Sequence, residues 1–374
     1  MLQAFIGADV FDGTVLHRGA ILVVQGGRVV CVQRQVPAGA AEVCLAGGTL
    51  SPGFLDLQVN GGGGVMVDGS TDAVALGRLC ALHGRLGATG ILPTLITDTP
   101  KATARVIAAG VQAARAGAPG FLGLHLEGPH LDPARKGAHD AGLIRPMTDA
   151  DLDQLCQAAR DLPALMVTLA PASVTLDQIA QLAQAGVIVS LGHSDATLEQ
   201  TRAAIASGAR CATHLFNAMS QMGNREPGMV GAVLTSQVAA GVIADGHHVA
   251  VEALQVALAV RPNGLFLVSD CMAAAGSDAT EFTLGGRRIL RKDGCLRLED
   301  GTLAGADLTL PQAVRVMVRR VGLPLEAALR MVTTTPADLL NRPDLGRLAP
   351  GLSADLVHLG ADLELAHVWR SDAD

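Results

Sequence analysis

Four short apolar runs between positions 127 and 270 each end in a side chain that can hold a metal or move a proton. They are HLEGPH with Glu127, SLGHSD with His193, CATHLFNAM with His214 and FLVSDCM with Asp270. One hard carboxylate oxygen and two imidazole nitrogens suit a divalent ion such as zinc, with a fourth position left for water or substrate. Such an ion lowers the pKa of bound water from ~15.7 towards ~7 and polarises a carbonyl oxygen. Asp270 is then the group to take a proton from that water and pass it to a leaving amine. Taken singly, each residue has a plainer reading. A histidine at a strand end is commonly a hydrogen-bonded structural residue, and a carboxylate beside a loop can cap a helix. The chemistry requires all four at one rim.

Residues so far apart meet only if the apolar runs are strands of one closed sheet whose following loops converge on a single mouth. The chain supplies eight such runs, near 54–59, 90–95, 121–126, 165–169, 187–191, 210–213, 239–243 and 265–268. Helix-length stretches lie between many of them, for example 72–86, 149–159, 176–185 and 198–207. Strands alternating with helices predict an α/β fold, a TIM-like (β/α)8 barrel, over residues 50–344. Glu127 then follows the third strand, His193 the fifth, His214 the sixth and Asp270 the eighth. Before the barrel, 20–24 and 28–33 read as strands about the Gly26-Gly27 turn, and the tail from Leu345 returns to short alternating strands. Both chain ends, 1–49 and 345–374, are therefore expected to form one small β-sandwich domain. Residues 281–299 read as an inserted hairpin around Gly285-Gly286 and Asp293-Gly294, and 310–321 and 324–340 as a closing pair of helices.

Composition narrows the function classes. Hydrophobic residues make up 49% of the 374 positions, but aromatics only 2%, with no Tyr and one Trp. The core must be Val, Leu, Ile and Ala, which suits a buried parallel sheet under helices. A formal charge of −7 and the scarcity of stacking aromatics argue against a nucleic-acid partner, while a few local Arg and His residues can still receive an anionic small molecule. The seven cysteines (Cys31, Cys44, Cys80, Cys156, Cys211, Cys271, Cys295) are never spaced as CxxC, so a thiolate metal site is not expected and a reducing compartment is. The opening MLQAFIGADVFDG has no basic start and is interrupted by Asp9 and Asp12. Neither a secretory signal nor a membrane span is read there, and the expected location is the cytoplasm.

Seven segments in order, SPGFLDLQVNGGGG, GLHLEGPHLDPARKGAH, LGHSDAT, ATHLFNAM, REPGMVG, ADGHHV and LVSDCMAAAG, resemble the successive motifs of N-acetylglucosamine-6-phosphate deacetylases in the amidohydrolase superfamily. The resemblance runs from about residue 50 to 340, and as a series it is highly specific. It implies hydrolysis of the N-acetyl amide of an amino sugar 6-phosphate. Motif by motif, it implies that Glu127, His193 and His214 hold the metal and that Asp270 serves as base and then acid. His139, in KGAH, would donate a hydrogen bond to the developing oxyanion, a role worth ~3 kcal/mol at comparable sites. Asn217, Ala218, Arg225 and His248 would receive the phosphate, with a neighbouring subunit completing the pocket in a homodimer.

One departure from other amidohydrolases concerns the metal count. Where many carry an HxH pair on the first strand, this chain has Gln58 and Asn60, and no Lys lies near the fourth strand, LMVTLAP, to bridge two ions. Neutral amides are poor zinc ligands, so one Zn2+ per subunit is expected. Gln58 is expected beside it on the substrate side as a hydrogen-bonding group, and Asn60 merely shapes the Gly61–Gly64 turn. The pair His125 and Glu127 forms an HxE like that of nucleobase deaminases, but the accompanying PCxxC is absent. Two alternatives stay open: the galacto epimer or another N-acyl amino sugar phosphate as substrate, and a non-catalytic assembly protein on the same fold.

Overall fold

Phe54–Val59 is buried on both faces along its whole length, as a strand covered by helices on one side and a barrel interior on the other must be. It is the first strand, β1, of an eight-stranded parallel sheet in a computed structural model that describes residues 1–371. The others are β2 (Ala88–Ile96), β3 (Leu124–Glu127), β4 (Leu165–Leu169), β5 (Ile188–Leu191), β6 (Cys211–Ala212), β7 (Ala239–Val242) and β8 (Leu265–Leu267). They pair in sequence order. Closure between β8 and β1 is made just beyond β8, where the Asp270 N–H donates to Gln58 O at 3.0 Å and the Asn60 N–H to Cys271 O at 2.9 Å. The architecture is the TIM-like barrel expected from the alternation of runs.

The intervening helices start where the sequence supplies caps. Asp72 accepts from Ala75 N–H at the head of α1 (Ala73–Arg85), and α2 (Pro100–Arg115) opens on Pro100 behind Thr99. Thr148, Thr175 and Thr197 form reciprocal capping boxes with Asp151, Gln178 and Gln200 at the heads of α3 (Asp149–Asp161), α4 (Leu176–Gln184) and α5 (Leu198–Ala206). Each cap is worth about 1 kcal/mol. It also fixes the length of the loop before it, and these loops form the barrel mouth. Leu152 and Leu155 of α3 and Ile179 and Leu182 of α4 face the sheet. The core they join is overwhelmingly Leu, Val, Ile and Ala.

Three details differ from the sequence expectation. The third strand begins at Leu124 rather than near 121, because Gly123 sits at φ +135°, where a Cβ would run into the Ala164 backbone, leaving Phe121 a single bridge to Ile91. The insertion is more than a hairpin: Glu281–Leu284, Arg287–Lys292, Cys295–Leu298 and Leu303–Ala306 form a four-stranded antiparallel sheet with its own apolar cluster. The stretch 324–340 is two helices, Leu325–Arg330 and Thr334–Leu339. Thr333 turns its hydroxyl back to Leu329 O at 2.7 Å and Pro336 has no N–H to continue the ladder.

At the chain ends, Leu356–Leu359 pairs antiparallel with Thr49–Pro52, within a five-stranded sheet that also holds Asp9–Phe11 and Leu365–Trp369. Leu2–Ile6, Ile21–Gln25, Arg28–Gln33 and Ala41–Cys44 make a four-stranded companion. Phe5, Val10, Leu22, Leu50 and Leu356 pack together in one apolar cluster. No helix among the described residues is long and apolar enough to cross a membrane.

Candidate active site

Glu127 is the last residue of β3, and His193, His214 and Asp270 follow β5, β6 and β8 by two, two and three positions. The last three all have left-handed backbones, with φ of 45°, 28° and 48°. That conformation costs a non-glycine residue of order 1 kcal/mol or more, and three such residues at one rim mark a functional site rather than a folding convenience. All four side chains are buried.

Glu127 Oε1 lies 3.2 Å from His193 Nε2 and 3.0 Å from His214 Nε2, and those two nitrogens are 3.1 Å apart. His193 Nδ1 stands 2.8 Å from the Arg135 carbonyl, which can only accept, so the proton sits on Nδ1 and a lone pair on Nε2 faces the carboxylate. Electron-pair donors aimed at one point call for a cation between them. Tetrahedral zinc with bonds of ~2.0–2.1 Å spaces its ligand atoms by about 3.3 Å, close to this triangle. With no cation between them the imidazoles can instead donate N–H to Glu127; burial pushes its carboxyl up, but these hydrogen bonds outweigh it and hold the group well below the usual carboxylate range. The donor set fits a divalent metal.

His139 is the fourth imidazole-or-carboxylate group here, with Nε2 3.8 Å from Glu127 Oε2. Glu127, His139 and His193 each offer an atom within 4.8 Å of the others, so on spacing alone His139 competes with His214 as a ligand. Protonation separates them. The Thr97 backbone N–H donates to His139 Nδ1 at 3.3 Å, which places the lone pair on Nδ1 and the N–H on Nε2, towards the cavity. Burial, together with the neighbouring His193, pushes the His139 imidazole down to about 3. His139 is thus a neutral hydrogen-bond donor beside the triangle.

Asp270 Oδ1 accepts from Asn60 Nδ2 at 2.8 Å. Burial and the Glu127 charge push the Asp270 carboxyl up to about 6. Asn60 therefore does more than shape the glycine turn: it lines the cavity and fixes one oxygen of the acid-base candidate. The sequence signal was present, since Asn60 follows the first strand as Asp270 follows the eighth, and the two strands close the barrel.

A cavity of about 570 Å³ is lined by these groups at its floor, by Asn217, Ala218 and His248 on one side, and by Arg297 and Thr302 of the inserted sheet. His248 Nδ1 is 2.6 Å from Asp245 Oδ2. Between 214 and 218 the chain alternates, with φ of 28°, 79° and 48° at His214, Phe216 and Ala218. The Leu215 and Asn217 N–H groups are spent on Gly241 O and His214 O, and this turn meets the cavity through Asn217 and Ala218. Two residues expected on the substrate side do not line the cavity, although Gln58 does make the expected hydrogen bond beside the metal ligands. Arg225 is exposed on the 221–226 loop, off the cavity. Gln58 stands behind Glu127, donating to Oε1 at 3.2 Å, because β1 turns this side chain into the barrel rather than to its mouth. His125 is also interior, between Leu57 O and Thr168 Oγ1. Cys271 is buried, with its thiol pushed well up by burial, and behaves as a small apolar group.

The profile of the Amidohydrolase family matches residues 49–371. An N-acetylgalactosamine-6-phosphate deacetylase of Shewanella sp. (strain ANA-3) is 41% identical over 371 residues, 97% of this chain and 93% of that protein. The crystal structure of N-acetylglucosamine-6-phosphate deacetylase from Pasteurella multocida superposes with a TM-score of 0.95 at 33% identity, covering 99% of this chain and 98% of that one. A mutant of the Mycobacterium smegmatis N-acetyl-D-glucosamine-6-phosphate deacetylase, in complex with N-acetyl-D-glucosamine-6-phosphate, superposes at 0.91 with 35% identity over 99% and 98% of the chains.

Proposed function

Because this chain belongs to the amidohydrolase family and, within it, to the amino sugar 6-phosphate deacetylases, we propose that it hydrolyses the acetamide of N-acetylglucosamine 6-phosphate to glucosamine 6-phosphate and acetate. The observation that carries the reading is the triangle of Glu127, His193 and His214, with Asp270 and His139 on the same cavity floor and Asn217, Ala218 and His248 at its side. One zinc per subunit fits the triangle, and when bound it acidifies water and polarises the acetyl carbonyl.

The protein groups divide the remaining work. Asn60 pins Asp270 Oδ1, leaving Oδ2 to take a proton from the attacking water and return it to the departing nitrogen. The neutral His139 donates from Nε2 to the carbonyl oxygen as negative charge develops there, a contribution of about 3 kcal/mol. Asn217, Ala218 and His248 hold the phosphate, with Asp245 fixing the His248 ring. Exposed and off its own cavity, Arg225 serves a neighbouring subunit's phosphate in a homodimer, where a guanidinium fork suits the anion. Seven free cysteines suit the reducing cytoplasm.

The 41% identical relative favours a second reading, the galacto epimer as the better substrate. Acetate release from N-acetylglucosamine 6-phosphate and N-acetylgalactosamine 6-phosphate, measured side by side, tests both. A kcat/KM higher for the gluco compound is expected; a clear preference for the galacto compound selects the second reading, and no release from either rejects both.

Asn60→Leu gives a pH signature. The Asn60 amide favours the ionised Asp270, so its loss raises the Asp270 pKa, and the base is needed ionised. The acidic limb of the kcat profile is expected to move upward by about one pH unit, as the loss of one hydrogen bond to a charged group predicts. An unmoved limb would show that Asn60 does not act on the base.

A further inference from the structure

Residues 135–139 form a strap between two functional groups. At one end the Arg135 carbonyl accepts a hydrogen bond from the His193 Nδ1–H, while the Arg135 guanidinium donates twice to Asp195 Oδ1, at 2.9 and 2.7 Å. At the other end stands His139, whose ring is held by Thr97. Between them Gly137 sits at φ +55°, close enough to His193 that a Cβ would lie 3.2 Å from its Cε1. The strap has no regular secondary structure of its own after the short turn Pro133–Arg135. Its conformation depends on what grips it from outside.

The outer grip comes from the inserted sheet. Arg287, at the start of its second strand, donates from Nη2 to the Ala138 carbonyl. No other protein donor to that carbonyl is seen among the described residues. The Ala138 side chain packs on the sheet's apolar cluster of Leu284, Ile289, Leu296 and Leu298. Arg287 is half-buried and close enough to affect His139 electrostatically, yet it does not line the main cavity.

We infer that Arg287 is a positioning residue for the hydrolysis: it clamps the Ala138 carbonyl and so holds the His139 Nε2–H at the place where the oxyanion forms. The inserted sheet is thereby part of the catalytic apparatus, although its arginine touches neither substrate nor metal. A guanidinium suits the task because it keeps its charge and spans the gap with a rigid planar fork. The inference rests on the role given to His139 above.

The test is a double-mutant cycle between Arg287→Ala and His139→Asn, with Arg287→Lys as the conservative variant. Arg287→Ala is expected to lower kcat about 10- to 100-fold, the scale of a catalytic group displaced by about 1 Å, with KM changed much less. Zinc content and melting temperature stay at the parent values, and Arg287→Lys recovers part of kcat. In the His139→Asn background the same change costs less than about twofold, since there is no donor left to position. Equal losses in both backgrounds, or a parent-like kcat in Arg287→Ala, overturn the clamp while leaving the deacetylase reading intact. Full activity of His139→Asn alone overturns the role of His139 and the clamp with it. Should Arg287→Ala fail to fold, Arg287→Lys is read in the same two backgrounds by the same criteria.

Discussion

Asp270→Asn lowers kcat by about 10²- to 10⁴-fold, the range a positioned general acid-base group supplies. The substitution is nearly isosteric. It removes the proton acceptor but keeps a polar group beside Asn60, so KM for the sugar phosphate changes little. Stability separates this loss from damage to the fold. The Asp270 carboxyl is pushed up to about 6 by burial and by Glu127, above the 3.8 of a free aspartate. A group whose folded pKa is raised opposes folding once the pH climbs past its unfolded value, because the unfolded chain ionises it more readily. Replacing it with a neutral amide removes that penalty. At pH 7 the metal-free variant is therefore expected to melt at or above the metal-free parent, while the metal-loaded variant is almost inactive. A fall in melting temperature that parallels the loss of rate would instead mark Asp270 as a structural residue.

His214→Ala removes one corner of the triangle. The variant is expected to purify with substoichiometric metal and to lose about 10³-fold or more in kcat/KM, since the electrostatic help of the cation amounts to several kcal/mol at ~1.36 kcal/mol per decade. It also leaves the buried Glu127 with one imidazole in place of two. Glu127 is held well below its ordinary range by both partners, a stabilisation present above that range and lost as the pH falls through the depressed folded value. At neutral pH the metal-free variant is thus expected to melt below the metal-free parent. Full metal occupancy in His214→Ala, measured by elemental analysis, would transfer the third ligand to His139.

The barrel was legible because its strands are buried on both faces and read as unbroken apolar runs. Four of the eight runs also carry chemistry at the carboxyl end, so Glu127, His193, His214 and Asp270 are marked by position as well as by type. What escaped has a common cause. Whether Gln58 points to the mouth or into the barrel depends on the twist and stagger of β1, which a two-residue alternation does not encode. Asn60 reaches Asp270 only through closure between the first and eighth strands, a contact 210 residues long in sequence. The inserted sheet announced its turns at Gly285-Gly286 and Asp293-Gly294. Where it docks is decided by contacts distant in sequence, the packing of Leu284 and Leu296 with Met66, Ile96 and Met272 and the Arg287 bond to Ala138 among them, and no pattern in 281–306 points to the 135–139 strap. Arg225 shows the converse: a phosphate-suited side chain read from its motif lies off the cavity of its own chain.

The claim beneath all of this is that Glu127, His193 and His214 hold a single cation on which hydrolysis depends. The most direct measurement is to strip the purified protein of metal with a chelator and titrate zinc back while following acetate release from N-acetylglucosamine 6-phosphate. The account predicts negligible activity in the stripped protein, a linear recovery, and a plateau at one zinc per chain. Acetate release that persists after complete metal removal, or that begins only as a second equivalent binds, would contradict it.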